Sequence, residues 1–76
     1  AFMSMDKRLA SFLLEQASIE GSDELSITHD TIARNLGTAR EVISRMLKYF
    51  ENEGLVALSR GRVALRDRKR LMEYAG

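Results

Sequence analysis

The feature that most constrains this chain is one glycine, Gly37, set between two amphipathic runs. Before it, "THDTIARNL" (Thr28 to Leu36) puts Ile32, Ala33 and Leu36 at helical spacing. After it, "TAREVISRMLKYF" puts Val42, Ile43, Met46, Leu47 and Phe50 on one helical face. Glycine tolerates the positive φ that a tight exit from a helix requires. Two helices joined by a turn of about three or four residues containing Gly, the second helix longer, make the helix-turn-helix pattern. The pattern predicts this unit over about residues 28–53, with the second helix at 39–53 as the recognition helix.

The flanks extend it. A first helix is predicted from about Met5 to Ala17, where Met5, Leu9, Phe12, Leu13 and Ala17 form one apolar stripe. "SIEGSDE" (Ser18 to Glu24) reads as a polar connection, and "LSI" (Leu25 to Ile27) as a short strand or extended lead-in. Thr28 is placed to N-cap the second helix, with Asp30 favourable in its first turn. The third helix runs to about Glu53 and is closed by Gly54. "LVAL" and "VAL" around "SRGR" (Ser59 to Arg62) form a hairpin pattern over about 55–65, with Gly61 free to take the turn conformation. Asp67 is placed to cap a last short helix carrying Leu71, Met72 and Ala75. With no repeat, low-complexity tract or proline, residues 1–76 read as a single domain. The expected class is small α+β, mainly α: a winged helix-turn-helix with a three-helix core, a β-hairpin wing and a short C-terminal helix.

Composition narrows the function. The chain has no cysteine and one histidine, His29, too few for a zinc site or a Ser-His-Asp arrangement. No catalytic residue, metal or cofactor is therefore expected in this domain. No apolar run is long enough to span a membrane, and "AFMSM" is too short for a secretory signal, so the expected compartment is cytoplasmic. The formal charge of +1 hides an asymmetry. Residues 1–38 carry three basic and six acidic side chains, whereas residues 39–76 carry nine basic and five acidic. A second half of +4 suits a polyanionic partner, although a solvated face would give the same bias.

The polar side of the third helix carries Arg40, Glu41, Ser44, Arg45 and Lys48 as one continuous stripe. Two readings compete. Thr38-x-x-Glu41 fits a capping box, and Glu41 with Arg45 fits an i,i+4 pair worth about 0.2–0.5 kcal/mol. In the other reading Arg bridges guanine O6 and N7 and Glu accepts from cytosine N4, chemistry wanted on the first turns of a recognition helix. Thr28, Thr38, Ser44 and Lys48 suit phosphate oxygens, as do Arg60 and Arg62 at the hairpin tip. His29 is read as a surface residue, and "RDRKR" (Arg66 to Arg70) as a solvated face of the last helix. Between the two readings of the stripe, the helix-turn-helix context favours DNA.

"LSITHDTIARNLGTAREVISRMLKYFENEGLV" followed by "RGRVAL" resembles the DNA-binding domain of the Crp/Fnr family of bacterial transcription regulators. The match centres on "IARNLGTAREVISR", with the Glu-x-x-Ser-Arg run at Glu41, Ser44 and Arg45, and covers the chain from about Asp6 onward. The resemblance implies base contacts by Arg40, Glu41 and Arg45 with Ser44 nearby, in half-sites with a TGA-like core. It also implies a homodimer on two-fold symmetric double-stranded DNA, contact with RNA polymerase in many members, and an N-terminal sensor domain and dimerisation helix absent from these residues. The effector of such a sensor stays unknown. The chain departs from the family where Ser or Thr often precedes the Arg: here Ala39 does, and the hydroxyl of Thr38 comes one place earlier. A winged helix that contacts another protein, without sequence-specific DNA binding, is the alternative function.

Overall fold

A computed structural model describes residues 4–76; the opening Ala1–Met3, part of the stretch weighed above as a signal, lies outside them. The elements run α1 (Met5–Glu20), β1 (Glu24–Leu25), α2 (His29–Leu36), α3 (Arg40–Asn52), β2 (Val56–Ser59), β3 (Arg62–Leu65) and α4 (Arg68–Ala75). The three strands form one antiparallel sheet in the order β1-β3-β2. This is the winged helix-turn-helix expected from the sequence.

Each α-helix buries its apolar stripe in one shared core. Leu9, Ala10, Phe12, Leu13 and Ala17 of α1 meet Ile32, Ala33 and Leu36 of α2 and Ile43, Leu47 and Phe50 of α3. Leu25, Leu55, Val56, Val63 and Leu65 close the core from the sheet side, and Leu71 from α4. Among the described residues no polar or charged side chain is buried there. Burying one such aliphatic or aromatic side chain contributes about 1.5–3 kcal/mol, so the helices are held by this core more than by propensity. Val42, assigned to the packing face, is only half-buried and sits at its margin.

The predicted breakpoints fall where the local chemistry puts them. The Thr28 hydroxyl accepts from the Thr31 amide at 3.2 Å, and the Asp67 carboxylate accepts from the Arg70 amide at 3.1 Å. Both are N-caps, each worth about 1 kcal/mol. Gly37 ends α2 in the left-handed region (φ 68°), while the Thr38 amide donates to Ala33 O at 3.0 Å. A Cβ at Gly37 would meet nothing within 4 Å, so the demand there is conformational and not steric. Gly37→Ala is expected to lower stability by about 1–2 kcal/mol, read as a lower urea midpoint at unchanged m-value.

Two boundaries differ from the sequence reading. α1 continues to Glu20 and closes at Gly21, although Ile19 is 72% exposed and adds nothing to the apolar stripe. The first strand is Glu24–Leu25, not Leu25–Ile27, because it is defined by pairing with β3 (Glu24 opposite Ala64, Leu25 opposite Val63). That partner lies far along the chain and leaves no local trace.

The β2–β3 hairpin is tied to α3 by Glu51. Its carboxylate accepts from the Leu58 amide at 3.2 Å and from Lys48 Nζ at 3.3 Å. These bonds, the Leu58 amide first, hold the Glu51 carboxyl below its usual range. A depressed folded-state pKa gives stability that is present above the unfolded value and is lost as pH falls through the folded one. The parent's resistance to chemical denaturation should therefore fall as pH drops into the acid range. In Glu51→Gln part of that dependence should vanish. Identical pH profiles for the two proteins would remove Glu51 as a source.

Candidate nucleic-acid interface

α2 packs across α3 so that the N-terminal turns of α3 project outward beside the wing. Arg40, Glu41, Ser44 and Arg45 line one shallow groove on the exposed side of α3. A second cleft, roughly 350 Å³, opens between the helix-turn-helix and the hairpin tip. Thr28, His29 and Arg40 form one wall, and Leu58, Ser59, Arg60 and Gly61 the other. Arg40 belongs to both, so the two recesses adjoin at its side chain.

The structure decides how Glu41 is used within its own helix. The N-cap of α3 is Ala39, with no side-chain cap bond, so the capping box anticipated from Thr38 and Glu41 is not formed. The helix starts one residue later than that box requires, because the Thr38 amide is already spent on the α2 exit. Nor do Glu41 and Arg45 form an ion pair: the ion pairs among the described residues are Lys48–Glu51, Arg62–Glu24, Arg68–Asp23 and Arg70–Glu53. Arg40, Glu41 and Arg45 are exposed and make no side-chain hydrogen bond or ion pair among the described residues. The acid at the first turn still favours the positive helix end.

Other site residues carry partners. The Lys48 ammonium rests 3.3 Å from Glu51 yet keeps 68% of its surface exposed. Arg62 lies 3.6 Å from Glu24, with both side chains more than half exposed. Such solvated pairs contribute little and release readily to a stronger anion. Arg60 has no such partner and stands at the wing tip, where the two-residue turn places Gly61 at φ 70°. Thr28 is exposed in the cleft while it caps α2, and Thr38 is half-buried beside Gly37.

Sequence reasoning missed one contact. His29 Nδ1 and Ser44 Oγ are 2.8 Å apart, joining the first turn of α2 to the middle of the recognition stripe. His29 is half-buried and not a simple surface residue. The two lie 15 positions apart, so only the packing of α2 on α3 brings them together. The basic run Arg66 to Arg70 serves structure in part: Arg68 pairs with Asp23, and Arg70 donates to Glu53 O at 2.7 Å and reaches its carboxylate at 3.2 Å.

Fold and surface together define a winged helix-turn-helix domain whose α3 carries an exposed polar stripe. The family described as the Crp-like helix-turn-helix domain matches residues 7–74, and the chain belongs to the Crp/Fnr family of transcription regulators. It is 31% identical to the transcriptional regulator SdrP of Thermus thermophilus, over 99% of this chain and 40% of that protein. It is 38% identical to the nitrogen fixation regulation protein FixK of Azorhizobium caulinodans, over 86% of this chain and 30% of that protein. A crystal structure from Eubacterium rectale, of a protein assigned to the Crp/Fnr transcriptional regulators, superposes with a TM-score of 0.94 at 62% identity. That superposition covers 95% of this chain and 33% of the other. The chain thus spans well under half the length of these relatives. These relatives are regulators by name, and among the described residues no helix is long and apolar enough to cross a membrane.

Proposed function

We propose that this domain binds double-stranded DNA sequence-specifically, with α3 inserted in the major groove. Arg40, Glu41 and Arg45 read base edges, with Ser44 beside them. Thr28, Thr38, Lys48, Arg60 and Arg62 hold phosphates on either side and set the depth of insertion. The observation that carries this is the uncommitted state of the α3 stripe: Arg40, Glu41 and Arg45 share an exposed groove without internal partners. Among the described residues Arg8, Arg62, Arg68 and Arg70 are each bound to or paired with a carbonyl or carboxylate, whereas Arg34, Arg60 and Arg66 are exposed without one. Leaving three charged groups unpaired on one helix face is suited to partners supplied from outside.

Family membership supports a wider assembly for the complete protein. Two copies of the full protein would place their α3 helices in successive major grooves, about 34–36 Å apart, on a two-fold symmetric site. Contact with RNA polymerase and regulation by a bound effector would belong to that complete protein.

Selection of bound sequences from a random duplex pool tests the proposal. Enrichment of a short core containing G·C pairs is the expected result. Recovery of a pool still random in sequence would favour the protein-contact alternative. Two copies of the domain joined by a linker that spans adjacent grooves should bind a two-fold site about 10²–10⁴ times more tightly than one copy binds its half-site. Titrations at one fixed salt concentration measure that ratio, and equal affinities would remove the two-fold arrangement.

A further inference from the structure

We propose that His29 is a positioning residue that sets whether the Ser44 hydroxyl offers DNA a hydrogen-bond donor or an acceptor, and so which bases Ser44 selects. The inference rests on the DNA-reading role of α3 proposed above. Its basis is the 2.8 Å contact between His29 Nδ1 and Ser44 Oγ, made where two recesses adjoin. Ser44 lines the groove of Arg40, Glu41 and Arg45, and His29 lines the cleft of Thr28, Arg40 and Arg60.

A hydroxyl has one proton and two lone pairs, and an imidazole nitrogen either donates or accepts. If Nδ1 accepts, the Ser44 proton is committed to His29, and only lone pairs face the DNA. Ser44 then accepts from an amino group, cytosine N4 or adenine N6. If Nδ1 carries a proton, it donates to Ser44 Oγ and frees the hydroxyl proton. Ser44 then donates to guanine O6 or N7, or to thymine O4. The state of one imidazole thus changes a residue on another helix from an acceptor alone into one that can also donate.

Protonation of the ring makes Nδ1 a donor. In the neutral ring, phosphate oxygens in the cleft offer only acceptors, so the single N–H is best used on them through Nε2, leaving Nδ1 as the acceptor. The charged groups around the pair are Arg40, Glu41 and Arg45 from α3, Arg60 from the wing and Asp30 from α2 itself. None of them hydrogen-bonds Ser44, so the imidazole alone commits its hydroxyl.

The test is selection from a random duplex pool at about pH 8 and about pH 5.5, with the parent chain, Ser44→Ala and His29→Arg. In the parent, one position of the selected site that favours C or A at the higher pH should gain G or T at the lower pH. The shift should be roughly two- to tenfold, the effect of one hydrogen bond. His29→Arg, a donor at every pH, should show the low-pH preference at both. Ser44→Ala should show no pH-dependent change at that position. An enriched site with no such shift in the parent, or with the same shift in Ser44→Ala, overturns the role of His29 and leaves DNA reading intact. No enriched site under any condition overturns both.

Discussion

Phe50→Ala is expected to remove about 3–5 kcal/mol of stability, the range for deleting a buried aromatic ring. Phe50 is fully buried, and its size puts it first among the residues with almost no exposed surface. It closes the C-terminal end of α3, with the Tyr74 ring of α4 centred 5.3 Å away and tilted 54° to it. Its carbonyl accepts from the Leu55 amide at 2.9 Å, which turns the chain into the wing. A domain this small has a total stability of about 4–11 kcal/mol, so the loss is a large share of the whole. The midpoint of thermal unfolding should fall by more than about 10 °C. Phe50→Leu retains most of the volume and should fall much less. A midpoint for Phe50→Ala close to the parent's would mean that this end of α3 is not held by the core.

The same residue shows what was legible in the sequence. Phe50 fell on the apolar face of α3 by its spacing from Ile43, Met46 and Leu47, and α3 is closed in the structure near the Gly54 proposed for it. Thr28, Gly37, Gly61 and Asp67 were legible for a related reason: caps and turns are decided by chemistry within a few residues. Features that depend on distant partners were not. β1 exists where Glu24 and Leu25 meet Ala64 and Val63, and nothing in "LSI" reports that register. Arg68 reaches Asp23 across 45 positions, so a run read as a solvated face also fastens α4 to the loop before β1.

The candidate site divides along the same line. Which residue types lie on the α3 stripe followed from helical spacing, because periodicity assigns faces. Whether Glu41 would be consumed by a cap did not, because a shift of one residue in the helix start decides it. That start depends on how α2 ends: the Thr38 amide closes α2, and the N-cap position passes to Ala39, which has no side-chain oxygen. With Ala39 at the N-cap, Glu41 falls at the second helical position, one short of the place a capping-box acid occupies. The His29–Ser44 contact required the crossing of two helices and had no signal in the sequence beyond the presence of a lone histidine.

The second large effect concerns recognition. Arg45→Ala should cost about 1–3 kcal/mol on the selected site and relax the choice at one base pair. The reason is geometric: a guanidinium offers two parallel donors that match guanine O6 and N7, and no water or alanine reproduces the pair. Arg45 is exposed on α3 and has no partner to lose inside the protein, so its removal leaves the fold intact. Lys48→Ala should behave differently. Its ammonium is shared with Glu51 and directed to solvent, and phosphate contact by such a point charge reads no sequence. Its loss should weaken every duplex alike and lower the slope of log affinity against log salt by about one.

The most direct measurement is therefore the ratio of affinities for the selected duplex and a scrambled duplex of equal length, at one salt concentration. The ratio should fall by roughly five- to 150-fold in Arg45→Ala, the equivalent of that energy range, and stay near the parent's in Lys48→Ala. An Arg45→Ala domain that weakens equally on both duplexes would contradict base reading by the α3 stripe.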